Sequence, residues 1–130
     1  MIEVGLSNKL ESAVTENDTA RVFGSGELDV LATPRMVALM EECAYKALSP
    51  YLEEGTGTVG TYLSVEHLSA TPVGMKIFFE ATVESVDGRK IEFYVQAHDE
   101  CGLIGQGKHV RFIVYNEKFM ERTNSKLQSK

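Results

Sequence analysis

Residues 33–52 read TPRMVALMEECAYKALSPYL, and this stretch decides the fold. Met36, Val37, Leu39, Met40, Cys43, Ala44, Ala47 and Leu48 recur at helical spacing and cover well over half the circumference. A helix that apolar is buried on most of its sides. Thr33 followed by Pro34 marks its start, because a threonine hydroxyl can cap and proline suits the first turn. Pro50 and the EEGTG stretch end it.

Outward from the helix, the remainder reads as strand. TVGTYLSVEHLSAT (58–71) alternates and places His67 on one face with Val59, Leu63 and Val65, until Pro72-Val73-Gly74 breaks it. MKIFFEATVESV (75–86) follows, then Asp87-Gly88, a two-residue hairpin signal. RKIEFYVQAHDE (89–100) sets Ile91, Phe93, Val95 and Ala97 against Lys90, Glu92, Tyr94 and Gln96, and LIGQGKHVRFIVYN (103–116) closes the series. Upstream, residues 8–16 suit a first strand, and 17–32, NDTARVFGSGELDVLA, read as a mobile, lid-like loop. The order is strand, buried helix, then four long antiparallel strands. One apolar helix against one long meander predicts an α+β domain over 1–130, with the antiparallel sheet wrapped around a central helix. Such a sheet leaves open edges, so a homodimer is expected.

Composition narrows the partners. A formal charge of −6 argues against nucleic acid, which needs clustered Lys and Arg. No apolar run approaches the ~20 residues of a membrane span, and the charged start MIEVGLSNKLESAV lacks the pattern of a leader. Cys43 and Cys101 form no visible disulfide framework, which fits reduced thiols and a cytoplasmic setting. The three histidines lack metal-ligand spacing, so no metal is expected. The basic tail, 117–130, carries Lys118, Arg122, Lys126 and Lys130 at intervals of four. A solvated or frayed terminus is the plainer reading of it.

Gly55-Thr56-Gly57-Thr58-Val59-Gly60 is a literal GxGxxG, but with a helix before it and a strand after it the order is reversed for dinucleotide binding. Those glycines suit a turn and close backbone approach, and the Gly60 N–H becomes a candidate for facing a ligand. Glu42 falls on the polar side with Lys46, whereas Glu41 falls near the apolar arc and needs a donor there. A hydroxyl at Thr33, a carboxylate at Glu41 and an imidazole at His67 suffice for hydrolysis. For each histidine, a structural role bonded to backbone is the competing reading. Thr33 and Glu41 lie ~12 Å apart and ~80° around one helix. Either the first turn is irregular, or a site draws Thr33 from one subunit and Glu41 from the other. The second arrangement is preferred.

The segment from Leu31 to Met75 resembles the fluoroacetyl-CoA thioesterase family of the hotdog superfamily. It carries A-T before the helix, M-E within it, Y-L-E-x-G-x-G-x-x-G-T after it and H-x-x-A-T-P on the strand, and VESVDGRK, VQAHDE, IGQGKHVRF and NEKF extend the similarity. The resemblance implies a hotdog-fold homodimer, whose further assembly stays open, that hydrolyses short acyl-CoA thioesters. No cofactor is implied beyond the coenzyme A of the substrate. It assigns catalytic roles to Thr33, Glu41 and His67, the thioester-facing N–H to Gly60, and an active-site arginine to Arg111. Arg111 would hold the Glu41 charge or a coenzyme A phosphate. Upstream, VFGSGELDVLAT has Phe23 as its one aromatic, where the fluoroacetate-handling member has a phenylalanine-rich lid. That departure points to an acyl group broader than, or different from, fluoroacetyl. Two other readings remain on this fold: a non-catalytic acyl-CoA-binding dimer, and a hydroxyacyl thioester dehydratase.

Overall fold

The computed structural model describes residues 1–128. Strand β1 (Ser7–Ala13) leads through a short helix α1 (Ala20–Phe23) to the long helix α2 (Thr33–Leu48). Strands β2 (Thr56–His67), β3 (Lys76–Asp87), β4 (Lys90–Asp99) and β5 (Gly102–Tyr115) follow, and helix α3 (Asn116–Asn124) comes last. The strands form one antiparallel sheet in the order β1-β3-β4-β5-β2. It is therefore not a single meander. β3, β4 and β5 are successive neighbours, but β2 crosses to the far edge and pairs with β5. The crossing is held where the Leu31 N–H donates to the Thr71 carbonyl at 2.9 Å and the Thr71 hydroxyl donates to Asp99 Oδ2 at 2.8 Å.

Alternation sets the core. Ile77, Phe79, Ala81 and Val83 on β3, with Ile91, Phe93, Val95 and Ala97 on β4, are buried against Met36, Leu39, Met40, Cys43 and Ala47 of α2. On β5, a Cβ at Gly105 would meet Met36 Sδ at 2.7 Å and the Glu66 carbonyl at 3.0 Å, so glycine leaves the room that the Met36 side chain fills. Cys43 is inside this layer and burial pushes its thiol up to about 11, an inert sulfur, whereas Cys101 is exposed.

Several boundaries differ from the sequence reading for identifiable reasons. The 17–32 segment carries local structure of its own. Thr15 and Asp18 form a reciprocal capping box, Thr19 caps α1, and bridges join Thr19 to Leu31 and Val30 to Pro72. The β3–β4 hairpin turns on Gly88-Arg89, not Asp87-Gly88, with Asp87 paired to Lys90 and Gly88 at φ +62°. The tail is helical instead of frayed through α3 and the turn Ser125–Leu127, and Lys130 lies outside the described residues. Among the described residues no helix is long and apolar enough to cross a membrane.

Candidate active site

Thr33 does not cap α2. Ala32 occupies the cap position without a side-chain bond, and Thr33 is the first helical residue. Its hydroxyl is thereby released to His67, with Oγ1 2.7 Å from Nδ1. Leu31 and Ala32 are fully buried behind it, which anchors the chain where the helix begins. The pair lines a cleft of about 250 Å³ with Ala20, Ser25 and Val30 of the 17–32 segment. Burial lowers the proton affinity of His67, opposed in part by the Ser69 backbone. Its Nε2 is buried and meets no hydrogen-bond partner among the described residues. A neutral imidazole with its Nδ1 lone pair toward a hydroxyl is the arrangement of a general base.

Glu41 belongs to a second cluster. Its Oε2 lies 3.7 Å from Arg111 Nη1, and a Cβ at Gly60 would meet Glu41 Oε2 at 3.0 Å, His109 Cε1 at 3.1 Å and Arg111 Nη1 at 3.3 Å. Gly60 thus forms the floor of a polar cradle. Register explains how it gets there. A bulge between Gly60 and Tyr62 lets Gly60 pair with Arg111 while Leu63 pairs with His109, so Gly60, Leu63, Val65 and His67 all face α2. Val59, paired with Phe112, lies on the opposite face, contrary to the unbroken alternation read from sequence.

Arg111 is buried and its fork is fixed at three points. Nε donates to Thr58 Oγ1 at 2.9 Å, Nη2 to the Thr58 carbonyl at 3.1 Å, and Nη1 to His109 Nε2 at 3.1 Å. That guanidinium is buried and lies beside Glu41. Because arginine can only donate, His109 Nε2 accepts, and its Nδ1–H donates to the Tyr62 carbonyl at 2.9 Å. His109 and Thr58 are the two site residues the sequence reading missed. Burial pushes the His109 imidazole down and Arg111 adds to this, against the Tyr62 backbone and the more distant Glu41 charge. Elsewhere Glu42 pairs with Lys46 at 2.7 Å, as its spacing predicts.

Two imidazoles whose proton affinity the fold lowers have a stability signature. Below the ordinary imidazole value of 6.5 the unfolded chain takes up protons that the native rings resist, so stability is complete above that value and falls as pH drops. The urea midpoint is expected to be lower at pH 5.5 than at pH 7.5, with part of the slope absent in His109→Asn. A midpoint constant across that range contradicts the assignment.

One chain keeps the clusters apart. α2 is continuous from Thr33, so the hydroxyl and the carboxylate remain ~12 Å apart along it, and the irregular first turn is not observed. Among the described residues no three His, Cys, Asp or Glu side chains gather as a metal would require.

Residues 14–117 match the family model described as fluoroacetyl-CoA-specific thioesterase (FlK). The fluoroacetyl-CoA thioesterase of Streptantibioticus cattleyicolor is 42% identical over 98 residues, which span 75% of this chain and 70% of that protein. A solved structure of the fluoroacetyl-CoA thioesterase FlK superposes with a TM-score of 0.92 at 36% identity, over 97% of this chain and 98% of that one. A thioesterase superfamily member from Thermus thermophilus gives 0.89 at 30% identity, over 100% and 98%.

Proposed function

The chain belongs to the fluoroacetyl-CoA-specific thioesterase family and has its hotdog fold, and from that premise we propose that it hydrolyses small acyl-CoA thioesters to the free acid and coenzyme A. The observation that carries the reading is the Thr33 hydroxyl 2.7 Å from a half-buried His67 whose proton affinity burial lowers. The thioester oxygen faces the Gly60 N–H, where a fixed donor stabilises the developing negative charge. A water or the Thr33 hydroxyl gives its proton to His67 as it attacks the carbonyl carbon, whereas the Glu41 carboxylate would attack without one. The carbon–sulfur bond breaks, and the proton so taken up passes to the departing thiolate. Where a protein oxygen attacks, water then hydrolyses the resulting acyl-enzyme to the free acid. Glu41, with Arg111 beside it, orients the attack. The upstream stretch has one aromatic, so the acyl group is broader than, or different from, fluoroacetyl.

The acting unit is a cytoplasmic homodimer. β2 is a twelve-residue edge strand, and Ala38, Glu41 and Tyr45 form a stripe on α2 that one chain leaves uncovered or half-covered. Pairing two β2 edges about a two-fold axis at Ser64 brings His67 of one chain opposite the bulge at the partner's Gly60. The partner's Glu41 and Arg111 then complete the site around the Thr33–His67 pair. Thiol release from acetyl-, fluoroacetyl-, propionyl- and butyryl-CoA tests the activity. Free coenzyme A is expected with wild type, and ~10²–10⁴-fold less with His67→Ala. Saturable binding without release supports a binding dimer instead, and an ultraviolet-absorbing enoyl product a dehydratase.

A further inference from the structure

His109 is buried, yet both of its ring nitrogens are bonded to polar groups. It stands opposite Leu63 of β2 and Phe93 of β4, and its ring stacks on Phe93 with centroids 6.3 Å apart. The edge that carries both nitrogens faces the cradle. Nδ1–H donates to the carbonyl of Tyr62, the residue after the bulge, and Nε2 accepts from Arg111 Nη1. Cε1, between the two nitrogens, would lie 3.1 Å from a Cβ at Gly60. One side chain therefore touches both the backbone that shapes the Gly60 floor and the guanidinium beside Glu41.

The bond to Arg111 controls a particular atom. Nε and Nη2 form one edge of the guanidinium, and Thr58 holds both. Two bonds to a single residue act as a hinge about which the planar group can tilt. Nη1 is the nitrogen that such a tilt would swing, and it is also the one 3.7 Å from Glu41 Oε2. By accepting from Nη1, His109 stops the hinge. The type of acceptor matters as much as its place. A carboxylate here would neutralise the arginine, whereas an uncharged imidazole fixes its direction and leaves the positive charge to Glu41. The charged groups that act on the ring are Arg111 on β5 and Glu41 on α2, while β2 presents a carbonyl and β4 an aromatic ring. A proton on Nε2 would abolish the acceptor and set two cations 3.1 Å apart, and burial opposes that proton.

We propose that His109 is a positioning residue of the hydrolytic site, which holds Arg111 and the bulge beside Gly60 as one unit so that Glu41 and the Gly60 N–H address the same carbonyl. The inference deepens the thioesterase reading above and rests on it.

His109→Asn and His109→Gln both remove the ring and its stacking on Phe93, but they divide its hydrogen bonds. The asparagine amide lies at the level of Nδ1 and keeps the Tyr62 contact. The glutamine amide reaches the level of Nε2 and restores an acceptor for Arg111. With an acyl-CoA that wild type hydrolyses, kcat is expected to fall about a hundredfold in His109→Asn at nearly constant KM, and His109→Gln to recover about tenfold of that loss. Added to Glu41→Gln, His109→Asn is expected to cost little more, because both disturb the same contact. A histidine that only fills the core would leave the two variants equal in kcat, and that result overturns the proposal, as does a loss carried by KM. A second measurement is independent of turnover. In ¹⁵N spectra of wild type at pH 7.5, with the His109 ring assigned through bonds to its backbone, Nδ1 is expected to be protonated and Nε2 unprotonated. A protonated Nε2 overturns the link whether or not either variant folds. No free thiol from wild type, with Nε2 unprotonated, overturns the hydrolytic reading and the positioning role with it, and leaves the link as part of the core.

Discussion

A random mixture of His67→Ala and Glu41→Ala chains is expected to recover about a quarter of wild-type turnover, and the purified mixed dimer about half, although each homodimer keeps only ~10⁻²–10⁻⁴ of it. The expectation follows from the separation of the two clusters. Thr33 and His67 are bonded at one end of α2, whereas Glu41 sits with Arg111 and Gly60 further along it. If each site takes its imidazole from one chain and its carboxylate from the other, a mixed dimer has one doubly damaged site and one intact site. Random assembly makes half the dimers mixed, and half of their sites are whole. Should one chain supply all the groups, every site in the mixture carries a lesion and nothing is recovered. Co-expression with two purification tags, followed by thiol-release kinetics, separates the two cases by at least an order of magnitude.

The same separation shows what the sequence could and could not convey. Periodicity located α2 and all five strands, because alternation and the 3.6-residue repeat are local consequences of which face is buried. It could not place β2 at the far edge beside β5, since strand order depends on pairing between distant segments. The bulge at Thr61 was hidden for a related reason. Its one extra residue is defined only by the register against β5, where Thr61 has no residue opposite it, and nothing between Gly60 and Tyr62 marks it locally. The residue types of the candidate site were legible, but their contacts were not. Thr33 looked like a cap because threonine before proline usually is one, and the nearby imidazole gives its hydroxyl a different partner. A signal for His109 was present. It stands two residues before Arg111 on a strand, hence on the same face, and a buried arginine needs acceptors. The order within 17–32 was likewise written in Thr15 and Asp18, spaced as a capping box.

Arg111→Lys is expected to lower kcat ~10²–10³-fold, despite retaining the positive charge. The reason is directional. The guanidinium meets Thr58 Oγ1, the Thr58 carbonyl and His109 Nε2 with three separate nitrogens, and this fixes Nη1 at 3.7 Å from Glu41 Oε2 beside Gly60. A lysine ammonium is one point on a flexible stem. It can reach toward Glu41 or toward Thr58, but it cannot span both while satisfying the His109 lone pair. The carboxylate then loses its fixed neighbour in the cradle where the partner's thioester must sit. A purely structural arginine would behave differently, with a lowered urea midpoint and near-normal kcat in the fraction that remains folded. The cycle with Glu41→Gln distinguishes the roles. If Arg111 acts through Glu41, the double variant is scarcely slower than either single one, because the two substitutions remove the same interaction. If their effects multiply, the arginine touches the reacting thioester independently of Glu41, and its assignment as the residue that holds the carboxylate is wrong.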